Sequence, residues 1–228
     1  MEEILTKQHF AELSKLVNEK IRGLCWLHRH GYESMMLFLR LILFAGAFGL
    51  FALPYWPARV IGMIVLSYAY TSIAITGTHE TSHLSYVKSA FVNKLWAYFF
   101  SDFWSSQSHL WWHYRHVQVH HLYPNVPDRE PKPFYFPWIN RYVYFFVIPY
   151  LVVFWLMAYS IKHLWKKWSK LSAYLLIMLL GWTLHVYLFV SIGFSVFASL
   201  GLALLMRSLF SPIFMHLAVF NHIGLDNP

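Results

Sequence analysis

Residues 111–128 read WWHYRHVQVHHLYPNVPD, and His109 stands just ahead of them. Five histidines, His109, His113, His116, His120 and His121, fall within thirteen residues, the first four separated by four, three and four positions. Residues three and four apart share one face of an α-helix, so the spacing predicts a single imidazole-lined face. The remainder of the chain is apolar: 58% of its 228 residues are hydrophobic and 12% are charged, against about 25% in soluble domains. A basic, polar segment is costly to place in lipid, so it is expected where water or a partner receives it. A metal ion is the partner that imidazoles suit.

Working outward, the composition and a mean hydropathy of +0.44 indicate a membrane protein. The net charge of +8 comes from basic residues that flank apolar runs rather than forming a stripe, which argues for headgroup anchoring and against a nucleic-acid partner. The single cysteine, Cys25, excludes an internal disulfide and a CxxC metal site. MEEILTKQHF begins acidic and without an apolar core, so no cleaved signal peptide is expected.

In chain order, Ile4, Leu5, Leu13, Leu16, Val17 and Ile21 recur at helical spacing among Glu, Lys and Asn. They predict an amphipathic cytoplasmic leader over residues 1–34, lying on the bilayer or simply solvated. A membrane domain is expected over 35–228. Met35–Leu53 and Val60–Thr76 are long enough to cross a bilayer and are joined by a turn at Pro54, Pro57 and Arg59. His79, Glu80 and His83 then emerge at the cytoplasmic end of the second span. Phe91–Trp104, interrupted by Asn93, Lys94 and Asp102, reads as an interfacial helix. Pro124, Pro127, Pro131, Pro133 and Pro137 end the histidine segment. The basic stretch Lys162, His163, Lys166, Lys167, Lys170 is expected to be a cytoplasmic loop. Tyr142–Tyr159, with Pro149 near its middle, is then interfacial or re-entrant, and Leu171–Val190 and Gly193–Phe210 form a hairpin of two further spans. The expected fold is all-α and integral to the membrane, with about four transmembrane helices, interfacial helices and a cytoplasmic histidine-rich metal site.

His79 and His83 are spaced i, i+4, His116 and His120 repeat that spacing, and His121 adds a further donor. So many imidazoles exceed the needs of one metal and suggest two. HETSH at 79–83 also fits the HExxH of zinc proteases, with Glu80 as general base, but the second histidine group exceeds what such a site needs. His109 and His113 share the predicted face and are either ligands or supporting groups. His163 belongs to the basic stretch, and His185 lies in an apolar span, where a bond to a backbone carbonyl is expected.

These residues resemble the membrane fatty acid desaturase family, specifically its acyl-lipid and front-end branch. HETSH is similar to the family's first histidine box. The run from Trp112 through Arg115, His116, His120, His121, Tyr123, Asn125 and Asp128 is similar to the second, and FNHIG at Phe220–Gly224 to the segment that supplies one further histidine. The resemblance runs from about Tyr68 onward. It implies metal-ligand roles for His79, His83, His116, His120, His121 and His222, with His216 a weaker candidate off the motif. Glu80, His113, Asn125 and Asp128 are candidates for orienting those ligands.

The family's third box, HxxHH, does not occur before Pro228, and the sequence is therefore expected to be a fragment truncated ahead of it. No heme-binding HPGG of a cytochrome b5 domain occurs, so a separate electron donor of ferredoxin or cytochrome b5 type is implied. The implied activity is an O2-dependent, di-iron desaturation of an acyl-lipid or acyl-CoA in the lipid bilayer, with two iron ions as cofactor. Alternatives are a lipid or carotenoid hydroxylase or ketolase with the same histidine centre, an inactive fragment, or a non-catalytic membrane protein whose histidines bind heme or store metal.

Overall fold

A computed structural model describes residues 7–84, 86–87, 89–123 and 139–220. It divides into two units, residues 1–39 and 40–228. In the first unit, α1 (Lys7–Arg22) leaves Leu13, Leu16 and Val17 exposed, and Cys25 precedes α2 (Trp26–Ala52), which continues into the second unit.

Among the described residues, four helices are long and apolar enough to cross a bilayer: α2, α3 (Trp56–Ser82), α8 (Trp168–Val190) and the stretch Val196–Ile213 that contains α9 (Val196–Ser208). Their outer positions, such as Ile42, Ile61, Leu176, Leu180 and Leu184, are exposed. Contiguous apolar surface of this extent is a liability in water and is the ordinary surface in lipid. The chain is a multi-pass membrane protein. The four spans match the sequence expectation, with α2, α3 and α8 beginning earlier than the apolar runs alone suggest.

Tyr142–Tyr159 is not one helix. It breaks into α6 (Arg141–Phe146), a 3-10 turn at Ile148–Leu151 and α7 (Val152–Leu164), with Pro149 in the turn, where a missing N–H and fixed φ interrupt the helical ladder. The basic stretch is mostly helical too: Lys162 and His163 lie in the last turn of α7, and Lys170 lies in α8.

One expectation is corrected. Phe91–Trp104 lies only half on the surface. α4 (Ala90–Ala97) exposes Phe91 and Leu95, but the chain then widens into a π-helical segment, Tyr98–Ser105, whose Phe100, Ser101, Asp102 and Trp104 are buried. Two of the polar residues that marked this stretch as interfacial, Asn93 and Asp102, are buried with partners, while Lys94 stays exposed. Asp102 pairs with His109, and Thr78 and Ser105 hydroxyls donate to the Phe100 carbonyl.

Close approach to the π-helical segment depends on small residues in the spans. A β-carbon at Gly181 of α8 would overlap the Phe103 carbonyl, and one at Gly77 of α3 would overlap the Phe100 ring. Gly181→Ala is expected to destabilise the detergent-solubilised protein by roughly 1–3 kcal/mol, as overpacking of a filled core does. Gly201→Ala, which meets open space, is the control and should leave the melting temperature unchanged or raised.

Candidate metal centre

The centre is assembled from the end of α3 and from α5 (His109–His113), which runs on as a second π-helical segment, Tyr114–His120. His79 lies in the last turn of α3 and His83 follows it, so their i, i+4 spacing puts both rings at one mouth of the span, 5.4 Å apart between centroids. Across from them His116 lies 4.7 Å from His79 and 5.6 Å from His83. One nitrogen from each of these three rings falls within 4.8 Å of the others.

The π-helical hydrogen bonding explains how His121 joins. In an α-helix a residue five positions on lies about 140° around the axis from the first. Here the His121 N–H bonds to the His116 carbonyl at 3.0 Å, a wider i→i−5 turn that brings the two back toward one side. His116 Nε2 and His121 Nε2 are 3.1 Å apart, and the His121 ring also reaches His83 at 5.1 Å. Two imidazole nitrogens each about 2.1 Å from a shared first-row metal stand about 3 Å from one another. The set is all-nitrogen, and the donor set fits such an ion. His120 stacks beside His116 at 5.6 Å, and the Trp112 ring covers another side of His116 at 5.0 Å, nearly parallel.

Burial first, then the neighbouring imidazoles, disfavour the charged form of His83, His116 and His121. His116 is pushed down to about 3 by desolvation, with His79 and His121 adding to it. His83 is lowered by burial and then by His79, and His121 by burial and then by His120. Neutral imidazoles are the metal-binding form.

The predicted single imidazole face is not what forms. His109 turns into the core, where its backbone N–H and Nδ1 both donate to Asp102 Oδ2, at 3.0 and 2.8 Å, and its ring packs on Tyr98. Burial raises the Asp102 pKa against the pull of His109. His113 donates from Nδ1 to the Ser82 carbonyl at 2.6 Å, tying the histidine helix to the end of α3. Glu80 Oε1 lies 3.5 Å from His79 Nδ1. His216 lies against Phe145, bonded to its carbonyl at 3.1 Å. His163 stacks on Tyr114. His185 Nδ1 accepts from Arg207 at 2.8 Å. His222, Asn125 and Asp128 lie outside the described residues.

Asn93 is a residue that the sequence reading passed over as an interruption. Its amide donates to the carbonyls of Leu84 and Val87, at 2.6 and 2.7 Å, and its oxygen accepts from the Val87 N–H at 2.7 Å, closing the loop that follows His83. Leu84 in that loop has a φ of 52°, a left-handed conformation that needs such holding. An amide within an apolar run was the available signal.

Fold and site together define a multi-pass helical membrane protein with a histidine cluster able to hold metal. A family model described as Fatty acid desaturase matches residues 54–228. The chain belongs to the fatty acid desaturase family. It is 30% identical over 220 residues to fatty acid desaturase 6 of Homo sapiens, covering 94% of this chain and 61% of that protein. It is 28% identical over 218 residues to the Mus musculus protein of the same name, covering 94% of this chain and 64% of that one. Against the sn-1 linoleoyl-lipid 6-desaturase of Synechocystis sp. it is 30% identical over 95 residues, or 42% of this chain and 26% of that protein. This chain thus spans less than two thirds of the length of either desaturase 6 relative. No solved structure matches it.

Two outcomes are expected. The unfolded chain binds more protons than the folded one between the ordinary histidine value of 6.5 and the value of about 3 at His116. Metal-stripped protein should therefore be fully stable above that window and lose stability as pH falls through it. His116→Gln should flatten the dependence in a thermal-melt series. Separately, His113→Phe keeps the ring and removes the donor to Ser82, so it should cost about 1–3 kcal/mol in unfolding free energy for the carbonyl left unpaired. The same variant should loosen metal binding, read by titration.

Proposed function

We propose that this chain forms the histidine-bearing part of a membrane desaturase, which removes two hydrogens from adjacent methylenes of an acyl-lipid or acyl-CoA using O2 and two electrons. The observation that carries it is the convergence of His79, His83, His116 and His121, from two chain segments, at the mouth of a span in a chain of this family. His79, His83, His116, His120 and His121 would hold iron, two ions in all, with His222 proposed as one further donor. When bound, the iron supplies the activation of oxygen that an unactivated C–H bond demands and that acid–base side chains cannot provide.

The chain's own residues do the rest. The five imidazoles are offered as donors, and burial keeps His83, His116 and His121 in the neutral, metal-binding form. His113 fixes the distance between the two histidine segments through Ser82. Glu80 stands beside His79 to orient its ring, and Asn125 and Asp128 are proposed for similar support after the second box. Trp112 restrains the His116 ring. The apolar surfaces of the spans receive the acyl chain at the membrane edge of the centre.

The cytoplasm is the proposed side of the centre. Lys162, Lys166, Lys167 and Lys170 cluster near His163, which stacks on Tyr114 of the histidine segment, and positively charged loops stay inside. Electrons then arrive from a soluble or membrane-bound donor of ferredoxin or cytochrome b5 type on that side. Residues 1–34 are proposed as a leader and 35–228 as the desaturase-like domain.

His120→Ala should abolish iron binding by the purified protein, measured by elemental analysis, and unchanged iron content would sink the proposal. Mass spectrometry of host lipids after expression of the full reading frame should show acyl chains lighter by two hydrogens. Chains heavier by one oxygen would instead identify a hydroxylase.

A further inference from the structure

Arg207 stands in an apolar run, inside α9, and is 3% exposed. Its Nη1 donates to Ser106 Oγ at 2.7 Å, to Tyr70 Oη at 2.8 Å and to the Trp104 carbonyl at 3.2 Å. Its Nη2 donates to His185 Nδ1 at 2.8 Å. The guanidinium also lies over the rings of Trp182 and Tyr70, at 4.2 and 5.1 Å. Ion pairs among the described residues are His79–Glu80 and His109–Asp102, so no carboxylate there offsets this cation. Burying an unpaired charge costs several kcal/mol, and its acceptors must recover that. They are placed to do so. Trp104 is at the end of the π-helical segment Tyr98–Ser105, where carbonyls carry partial negative charge, and Ser106 follows it with a left-handed φ of 62°.

What Arg207 holds is the start of the histidine helix. Two residues after Ser106, the Ser108 N–H bonds to Ser160 of α7, and His109 then opens α5. From His109 to His116 the helical chain advances about 10 Å, so a shift at the turn is carried to the ligand. Resting on the metal centre proposed above, we infer that Arg207 is a positioning residue for that centre: by clamping Trp104 and Ser106 to α3, α8 and α9 it fixes the point from which His116, His120 and His121 are presented to His79 and His83.

The test compares Arg207→Gln, Ser106→Gly and Leu171→Ala in purified protein. Ser106→Gly removes the hydroxyl and tolerates the positive φ, so it remains informative where Arg207→Gln fails to fold. Leu171→Ala deletes packing among Leu164, Tyr174 and Met178 and serves as a destabilised control. Both clamp variants should weaken cobalt(II) binding about 10–100-fold, the usual effect of losing an outer support, and alter the visible bands of the bound cobalt. The control should keep the wild-type spectrum at a comparable loss of melting temperature. Hydrogen exchange, read without metal, should quicken across residues 105–121 in the clamp variants and not in the Leu171→Ala control.

Wild-type affinity and spectrum in both clamp variants, or an equal loss of cobalt binding in the control, overturns the inference. So does unchanged exchange over 105–121. Failure of the wild-type protein itself to bind metal would count against the metal centre instead, and the exchange experiment would still decide whether Arg207 fixes the segment.

Discussion

A turn of polar backbone inside an apolar membrane protein must have every N–H and C=O paired, because neither water nor lipid is there to receive them. Ser105–Ser108 is such a turn. The Trp104 carbonyl before it accepts from Tyr70 and Arg207, and the Ser106 carbonyl accepts from Tyr174. Gln107 N–H returns to Ser101, and Ser108 N–H goes to Ser160. The partners come from α3, α7, α8 and α9, so the turn is the point at which those helices are tied to one another. Gly77 and Gly181 let the spans approach the segment closely enough for these bonds to form. The histidine helix starts from this turn, which makes the geometry of the centre a consequence of packing deep in the protein.

The centre itself sits where the cost of charge is smallest. His79 and His83 are exposed at the end of α3, whereas a metal cation placed among Leu66, Ile73 and Phe100 would lose its hydration without a compensating anion. Glu80 is the carboxylate that meets the cluster among the described residues, and Asp102 is committed to His109. Neutral imidazoles at a wet span end avoid burying like charges together. The wider π-helical turn then brings His116 and His121 together without requiring a third element.

Much of this is legible in the sequence, and the failures have specific causes. Apolar run length marks the four spans, and the i, i+4 pair His79 and His83 behaves as helical spacing requires. Spacing alone cannot distinguish an α-helix from a segment that widens to i→i+5 bonding. The expected single face of His109, His113, His116 and His120 therefore separates into a core pair with Asp102, a brace to Ser82 and a cluster. Asp102 inside an apolar stretch did demand a partner, and reading it as interfacial gave it water instead of His109. Arg207 made the same demand, but its contacts lie 137 positions away at Tyr70 and 101 away at Ser106, separations that one sequence does not reveal. His185 meets this arginine too, 22 positions away.

Asn93, His113 and Arg207 show how the two sides of the centre are restrained differently. Asn93 closes the short loop after His83 by satisfying three backbone groups locally, within nine residues. The second histidine segment is held at its start by the turn at Ser106 and by His109 on Asp102, and in its middle by His113 on Ser82. A ligand group fixed on one side by its own loop, and on the other by long-range packing, keeps its spacing only while the spans stay in register. Helix packing in the membrane and the separation of the histidines are therefore one variable, and His113 is the contact at which they meet.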